Sequence, residues 1–480
     1  MTEQLTETNA STPGRVTLDG GTPRRDMTRA RTQILVSACY GSSGDVMPCV
    51  WMANAIRARV GAETRVWCAT NPYFKSALRD DVGFIAVGNA TEYADMLRRS
   101  TTSGGRSRAR VDGRRMVRWW LSRLEEHFDA VTTLARRADR TIILAHTLDL
   151  VVRCVEELSE ATDGNPRDMD GYPRVECQSV VLSPALLRSD GEGVLPFLQE
   201  TLWFLPRRAA AWCADFLIDR AFAELNAFRR KRLGLTVPVR GIFAAEGWFL
   251  CRHVIAMFPE AFSVVKSNAA RVVHQIDFPY ADASDADAHE VAIARAREFA
   301  TSDDAPTVVF VSASGHPPFE KEFFKKAAEA MARLGGGIAK AIFLTTDRSH
   351  FEKRGLPANA LHLHYLPLSA CVEGRVRFEV IVSHATIGCA AAALRSGTKQ
   401  VVVPAAFDQH HNALLLSRLN VAKIIPMRRL TSKRLAKTLE RALRDESMHR
   451  AAAEFAVDRV RSDPQARVAD IIATKLAQPT

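Results

Sequence analysis

The sequence predicts an α/β protein with parallel strands in two domains. Three observations carry that reading. Residues 381–413 run as strand, tight loop, Ala-rich helix, second strand and polar loop, the order of a βαβ unit in a parallel sheet. Residues 33–68 repeat the order with a Gly-rich turn between strand and helix, again a βαβ unit. A chain of 480 residues is also too long for one ordinary hydrophobic core.

Residues 1–30 are polar, rich in Thr, Gly and Pro, and hold no apolar segment. They read as a disordered tail and not as a secretory signal. No run reaches the roughly 18–20 apolar residues of a spanning helix, so a soluble, cytoplasmic protein is expected. Residues 33–38 (QILVSA) form the first buried strand, 41–48 (GSSGDVMP) the turn, 49–60 a helix and 65–68 the next strand. Asp45 in that turn has two readings. A carboxylate at the mouth of the first βα loop can act as a general base, and it can equally cap the following helix.

Nine arginines and no lysine lie between residues 98 and 123. The stretch around Gly104 and Gly105 reads as a mobile loop. Residues 114–128 have helical spacing, with Met116, Trp119, Trp120 and Leu124 apolar. Such a helix can rest on an anionic membrane surface or pack its apolar stripe into its own domain. Residues 142–144 are a strand, and His146 and Asp149 follow it where a base or its partner can sit. Residues 161–175 read as an inserted loop before a strand at 179–182. Residues 219–243 begin as a helix that ends near Gly234.

The stretch 281–304 is rich in Asp and Ala and reads as an interdomain linker. The second domain starts with the strand 307–311, a polar loop at 312–316 and a helix at 319–334, followed by a strand at 341–345. Val380, Ile381 and Val382 are a short apolar run, as a buried parallel strand requires. Gly397 stands where a helix C-cap belongs. Residues 401–403 are a β-branched strand stopped by Pro404. Asp408, Gln409 and Asn412 then fall in a loop at the carboxyl end of that strand, the edge where open α/β sheets bind ligands. The loops after residues 311 and 383 each lead into a helix whose free N–H groups can hold a phosphate.

Apolar residues make up 47% of the chain and its net charge is +11. The first excludes a mostly disordered protein. The second fits an Arg-rich surface or attraction to anions, but no nucleic-acid motif accompanies it, so no nucleic-acid partner is expected. Nine scattered cysteines without a Cys-x-x-Cys pair are no disulfide framework and no metal site. Asp168-Met169-Asp170 and Asp285-Ala286-Asp287 have metal-binding spacing, but they lie in polar loops without a preceding apolar strand and read as solvated acids.

Several runs resemble nucleotide-sugar glycosyltransferases of family 1, which have the GT-B fold. Those enzymes carry His-x-Gly-Gly-x-Gly-Thr, an Ala/Leu helix, a Val/Pro strand and Asp-Gln-x-x-Asn-Ala. Here stand Ser383-His384-Ala385-Thr386-Ile387-Gly388-Cys389 and Asp408-Gln409-His410-His411-Asn412-Ala413. Ala385 and Thr386 replace the paired glycines. Gly41-Ser42-Ser43-Gly44-Asp45-Val46-Met47-Pro48 is similar to their N-terminal mark. Leu225-Asn226, Arg229-Arg230 and Leu233-Gly234-Leu235 resemble the rhamnosyltransferases of mono-rhamnolipid synthesis.

The resemblance implies two Rossmann-like domains facing a cleft, an acceptor domain at 31–280, a linker at 281–305, a donor domain at 306–460 and a C-terminal helix at 461–480 that packs back on the first domain. It implies an inverting transfer of a hexose from dTDP-rhamnose or UDP-glucose to a hydroxyl of a hydrophobic or lipid acceptor. Asp45 would be the base. Ser314, Tyr365, Ser383, His384, Gly388, Asp408, Gln409 and Asn412 would bind the donor. Ser42, His146 and Asp149 are acceptor-side candidates. No metal or other cofactor is expected. The altered loop at 383–386 leaves a second reading, a non-catalytic accessory or binding protein of the same fold.

Overall fold

The computed structural model describes residues 30–99, 101–104, 108–111, 113–161, 174–187, 206–242, 248–265, 271–279, 287–312, 317–351, 355–457 and 463–477. The rest of the N-terminal tail, Asp168 to Asp170, Asp285 and Ser314 lie outside them.

Two sheets organise the chain. The first is parallel throughout, in the order β3–β2–β1–β6–β7–β8–β9. Its strands are β1 (Ala30–Ala38), β2 (Arg65–Thr70), β3 (Gly83–Ala86), β6 (Ala138–His146), β7 (Arg174–Val181), β8 (His253–Ala256) and β9 (Val272–Gln275). Strands β4 (Thr101–Gly104) and β5 (Arg108–Val111) form a separate antiparallel hairpin. The second sheet is also parallel, in the order β12–β11–β10–β13–β14–β15. It comprises β10 (Thr307–Val311), β11 (Lys340–Leu344), β12 (Ala360–Leu363), β13 (Val380–Ser383), β14 (Lys399–Val402) and β15 (Ala422–Ile424).

These strands are near-continuous apolar runs because helices cover both faces of a parallel sheet. Ile34, Leu35 and Val36 of β1 are fully buried, as are Val308, Val309 and Phe310 of β10. Strand order reverses between β1 and β6 in the first sheet and between β10 and β13 in the second. Such switch points open a crevice at the carboxyl ends of the strands.

Several boundaries differ from the sequence reading. Helix α1 spans Ser43–Arg59, so Gly44 through Pro48 form its first turns and the Gly-rich turn itself is only Gly41 and Ser42. Residues 114–128 are two helices, Gly113–Leu121 and Leu124–Ala135. Trp120 is buried against Tyr40 and Phe222, and Trp119 packs on Tyr93. The indoles of this segment thus pack inward on the first domain. The helix expected from Asp219 is broken at Phe222, and its second part, Ala223–Leu233, ends at Gly234 in the left-handed region (φ 70°). Strand β7 starts at Arg174, inside the stretch read as an inserted loop. Of the stretch read as linker, Asp287–Thr301 is a helix, and its Ile293 and Ala296 share a buried cluster with Val309 and Ile342 of the second sheet. Gln409 and Asn412, expected in a loop, lie in the first turn of helix Gln409–Arg418, as do His410 and His411, all buried.

The two halves touch. Helix Pro464–Ala477 returns to the first domain, where Val468, Ala469 and Ile472 join the core of α1 and Asp470 pairs with Arg59 at 2.7 Å. A further buried cluster holds Leu35, Val181 and Phe278 together with Ala385, Ala390, Ala391 and Leu394 of the second half. Arg395 and Asp277, both buried, pair across the halves at 3.5 Å.

Candidate active site

The carboxyl end of β1 delivers Asp45 and that of β6 delivers His146, the two strands flanking the first switch point. Asp45 is the third residue of α1, and Ser42 is the N-cap. The Asp45 carboxylate reaches back: Oδ2 accepts the Ser42 backbone N–H at 2.7 Å and the Ser42 hydroxyl at 3.0 Å. It is therefore the acidic half of a capping box, not an N-cap. Its Oδ1 lies 3.9 Å from Nε2 of His146. Gly41, with φ +105°, makes this possible, because a Cβ there would stand 2.6 Å from the Asp45 side chain.

His146 is buried, and burial holds its imidazole below the ordinary value against the pull of Asp45 and Asp149. Its Nδ1 accepts the Leu148 N–H at 3.3 Å. A neutral imidazole with Nδ1 as acceptor carries its proton on Nε2, the atom facing Asp45. Asp149 is arranged differently. It caps the helix Leu150–Ala161 through the Val152 N–H (3.3 Å) and accepts the Ser37 hydroxyl. Its side chain is fully buried.

At the second switch point, His384 follows β13. Its Nδ1 faces the Val403 carbonyl at 2.7 Å and its Nε2 the Ser312 hydroxyl at 3.1 Å, with the ring 4.7 Å from that of Phe323. Both nitrogens are thus engaged within the protein. Ser383 accepts the Ala385 N–H at 3.1 Å and is buried. Ala385 takes φ +60°, a left-handed backbone that suits glycine far better than alanine. Two bonds hold it there, the one to Ser383 and one from the Asn412 amide to its carbonyl at 3.0 Å.

Helix Ile387–Arg395 starts next, with Thr386 as N-cap making no side-chain cap bond. Its first-turn N–H groups face outward with the positive end of the helix dipole. A Cβ on Gly388 would meet nothing within 4 Å, so the space above this turn is open to a ligand.

Asp408 precedes helix Gln409–Arg418 and is half-buried. Burial and then the charge of Asp45 push its carboxyl up to about 6, while hydrogen bonds from Asn412 and Ser183 pull the other way. Asp45, one of those causes, belongs to the opposite half of the fold. Gln409 turns its Oε1 to the N–H groups of Ala405 and Ala406 at 2.9 and 3.0 Å. Asn412 is fully buried and gives its amide to Ala385 and, at 2.8 Å, to Asp408, while its Oδ1 accepts the Ser183 hydroxyl at 3.1 Å. It supports the site from within the protein.

Tyr365 follows β12, with its ring 56% exposed and 5.1 Å from that of His289. It offers an open aromatic face beside a buried Leu366. Sequence reasoning missed Ser183, Ser312 and Tyr93, whose hydroxyl bonds the Gly41 carbonyl at 2.7 Å. Ser183 and Ser312 each lie just past the end of a strand, β7 and β10, so the switch-point rule applied to every strand would have found them. Among the described residues, one grouping has metal-ligand spacing, Cys39, His127 and Asp149, and it is buried below the cleft.

The second half has a recognisable sequence. Residues 328–474 match the family model of the erythromycin biosynthesis protein CIII-like C-terminal domain. No curated protein matches the chain. Solved structures match over nearly its whole length. The glycotransferase of kitacinnamycin is 17% identical, with a TM-score of 0.59, covering 93% of this chain and 99% of that one. The calicheamicin glycosyltransferase CalG4 is 14% identical, with a TM-score of 0.61 over 93% and 99%. Glycosyltransferase VinC, in complex with dTDP, is 13% identical, with a TM-score of 0.56 over 92% and 98%. With two parallel Rossmann-like sheets and these neighbours, the chain has the GT-B fold of glycosyltransferases.

Proposed function

We propose that this protein is a nucleotide-sugar-dependent glycosyltransferase that moves a hexose to a hydroxyl of a hydrophobic small molecule or lipid, with inversion. The observation that carries this reading is the meeting of the two halves beside Asp408, where Ser183 of the first half bonds Asn412 and Asn412 bonds Asp408, while Asp45 and His146 stand together at neighbouring strand ends of the first sheet. A displacement at an anomeric carbon needs one group to take the acceptor proton and others to hold the sugar, on two sides of one cleft. Asp45 takes the proton, and the Nε2–H of His146 faces the carboxylate that does so. Asp408 accepts sugar hydroxyls, assisted by the Gln409 amide.

The leaving diphosphate is held by the first turn of helix Ile387–Arg395, where open space above Gly388 lets phosphate oxygens approach backbone N–H groups. Tyr365 packs on the nucleobase. No metal is used. VinC was crystallised with dTDP, which supports testing a dTDP-hexose as donor beside UDP-glucose. The accessory-protein alternative leaves the Asp45–His146 pair and Asp408 without a task.

The test is a mass-spectrometric screen of dTDP- and UDP-hexoses against hydroxylated macrolides, aromatic polyketides and 3-hydroxy fatty acids. A product heavier by one hexose unit is expected. Nucleotide binding without transfer to any acceptor would favour the accessory reading.

A further inference from the structure

A set of polar side chains is buried beneath the loop that carries Asp45, and the proposed reaction uses none of it. His127, on helix Leu124–Ala135, is completely buried. Its Nδ1 lies 3.1 Å from the Tyr40 hydroxyl. Its Nε2 lies 3.0 Å from Ser37 Oγ, 3.4 Å from Cys39 Sγ and 3.4 Å from Asp149 Oδ2. Ser37 in turn donates to Asp149, and the Cys39 thiol donates to the Ala69 carbonyl at 3.3 Å.

One imidazole thus joins three segments: the end of β1, a helix behind it and the N-cap of the helix after β6. Tyr40 is the residue before Gly41, and Asp149 is three residues beyond His146. Burial keeps His127 below its ordinary value, hence neutral, with one donor and one acceptor nitrogen. With the Tyr40 hydroxyl donating to Nδ1, the Nε2–H faces Ser37 and Asp149, and every polar atom of the set is matched. From the other side, Tyr93 bonds the Gly41 carbonyl.

We propose that His127, acting through Tyr40 and Asp149, is a positioning residue that fixes the Asp45 loop relative to His146. The proposal rests on the reading of Asp45 as the base. Cys39, His127 and Asp149 also have the spacing of metal ligands. The thiol's bond to Ala69 and the Ser37–Asp149 bond instead give these atoms partners within the protein, and metal content is made an arm of the test.

Tyr40→Phe removes one hydroxyl and keeps the ring that packs on Trp120. His127→Gln keeps a donor and an acceptor. The readouts are amide hydrogen exchange at residues 41–46, turnover, affinity for UDP and dTDP, melting temperature and bound metal by mass spectrometry. Exchange at 41–46 and turnover should each change by about tenfold in Tyr40→Phe, with nucleotide affinity unchanged. A merely structural role would lower the melting temperature and leave exchange at the loop and turnover as in wild type, which overturns the proposal. If His127→Gln does not fold, Tyr40→Phe decides alone. One equivalent of metal, lost in Cys39→Ser, also overturns it. Asp45→Asn is run beside them: if it is inactive while Tyr40→Phe is unchanged, only the positioning role fails, and if it is fully active, the base assignment fails and the positioning role with it.

Discussion

The Asn412 side chain joins the two halves of the fold through Ser183, whose hydroxyl it accepts at 3.1 Å. The same amide holds the carbonyl of Ala385 in its left-handed conformation and one oxygen of Asp408. A single buried group therefore ties the loop after β13, the cleft carboxylate and the acceptor domain together. Asn412→Ala should cost about 2–4 kcal/mol, since it takes a bond from the buried Ser183 hydroxyl, the buried Ala385 carbonyl and the half-buried Asp408 carboxylate. Ser183→Ala removes the bond to Asn412 and the one its Oγ accepts from the Ala185 N–H, and should cost about 1–3 kcal/mol. Denaturant melts check both, and equal, negligible losses would show that the halves are not coupled through this amide.

The Asp408 carboxyl, raised to about 6 from an ordinary 3.8, sets a pH dependence. The folded state binds this proton more tightly than the unfolded chain does. The resulting stability is complete below about pH 4 and is lost as pH rises through about 6, after which the ionised group is a standing cost. Asp408→Asn should therefore stabilise the protein at pH 8 by about 1–3 kcal/mol and be nearly neutral at pH 4. It should also slow transfer. Melting curves at the two pH values test it, and an Asn variant less stable at pH 8 refutes the assignment.

The βαβ order was legible in the sequence because buried parallel strands are written as short apolar runs, as at Ile34–Val36 and Val380–Val382. Asp45, His146 and Asp408 could be picked out as candidates because they stand past such runs. The rest was not, for physical reasons. Asp149 and Asn412 look like site residues by type and place, but whether a polar side chain turns to the cleft or into a buried network depends on partners remote in sequence, Ser37 and Ser183. His127 sits near the start of its helix between Glu126 and Phe128, and nothing local marks it. Gln409 was read as loop because Pro404 and the polar residues after it hide a helix start. The left-handed Ala385 could be suspected only from the glycine that resembling proteins carry there.

Metal removal gives a further expectation. Among the described residues, the metal-spaced grouping lies below the cleft and not beside the Asp45 and Asp408 loops, and the diphosphate has helix N–H groups to meet. Transfer should continue in excess EDTA at an unchanged rate. Loss of activity that Mg²⁺ or Mn²⁺ restores would refute metal-free departure of the nucleotide.

Asp45 has a second structural duty, which decides how its role must be tested. Its Oδ2 holds the Ser42 N–H and hydroxyl, so Asp45→Ala would remove cap and base together. Asp45→Asn keeps an acceptor oxygen for the cap and loses the basic site. The variant should keep its melting temperature within a few degrees and lose about 10²–10⁴-fold in kcat. Near wild-type turnover in a folded Asp45→Asn enzyme would remove Asp45 as the base.

Gly388 separates a structural glycine from a functional one. An added Cβ there meets nothing within 4 Å, and its φ is not in the left-handed region. It lies in the first turn of a helix, where alanine is about 0.5–1 kcal/mol better than glycine in the interior and somewhat less so near the end. Gly388→Ala should therefore leave the protein as stable as wild type or slightly more so. If phosphate oxygens approach the backbone at this turn, the methyl group occupies their space. Affinity for dTDP or UDP should then fall by about tenfold or more, roughly the 1.4 kcal/mol of one lost backbone bond, with thymidine or uridine alone bound as before. Calorimetry with nucleoside and nucleoside diphosphate on both proteins distinguishes the cases. A stable Gly388→Ala variant that binds the diphosphate as tightly as wild type would place the pyrophosphate elsewhere in the cleft.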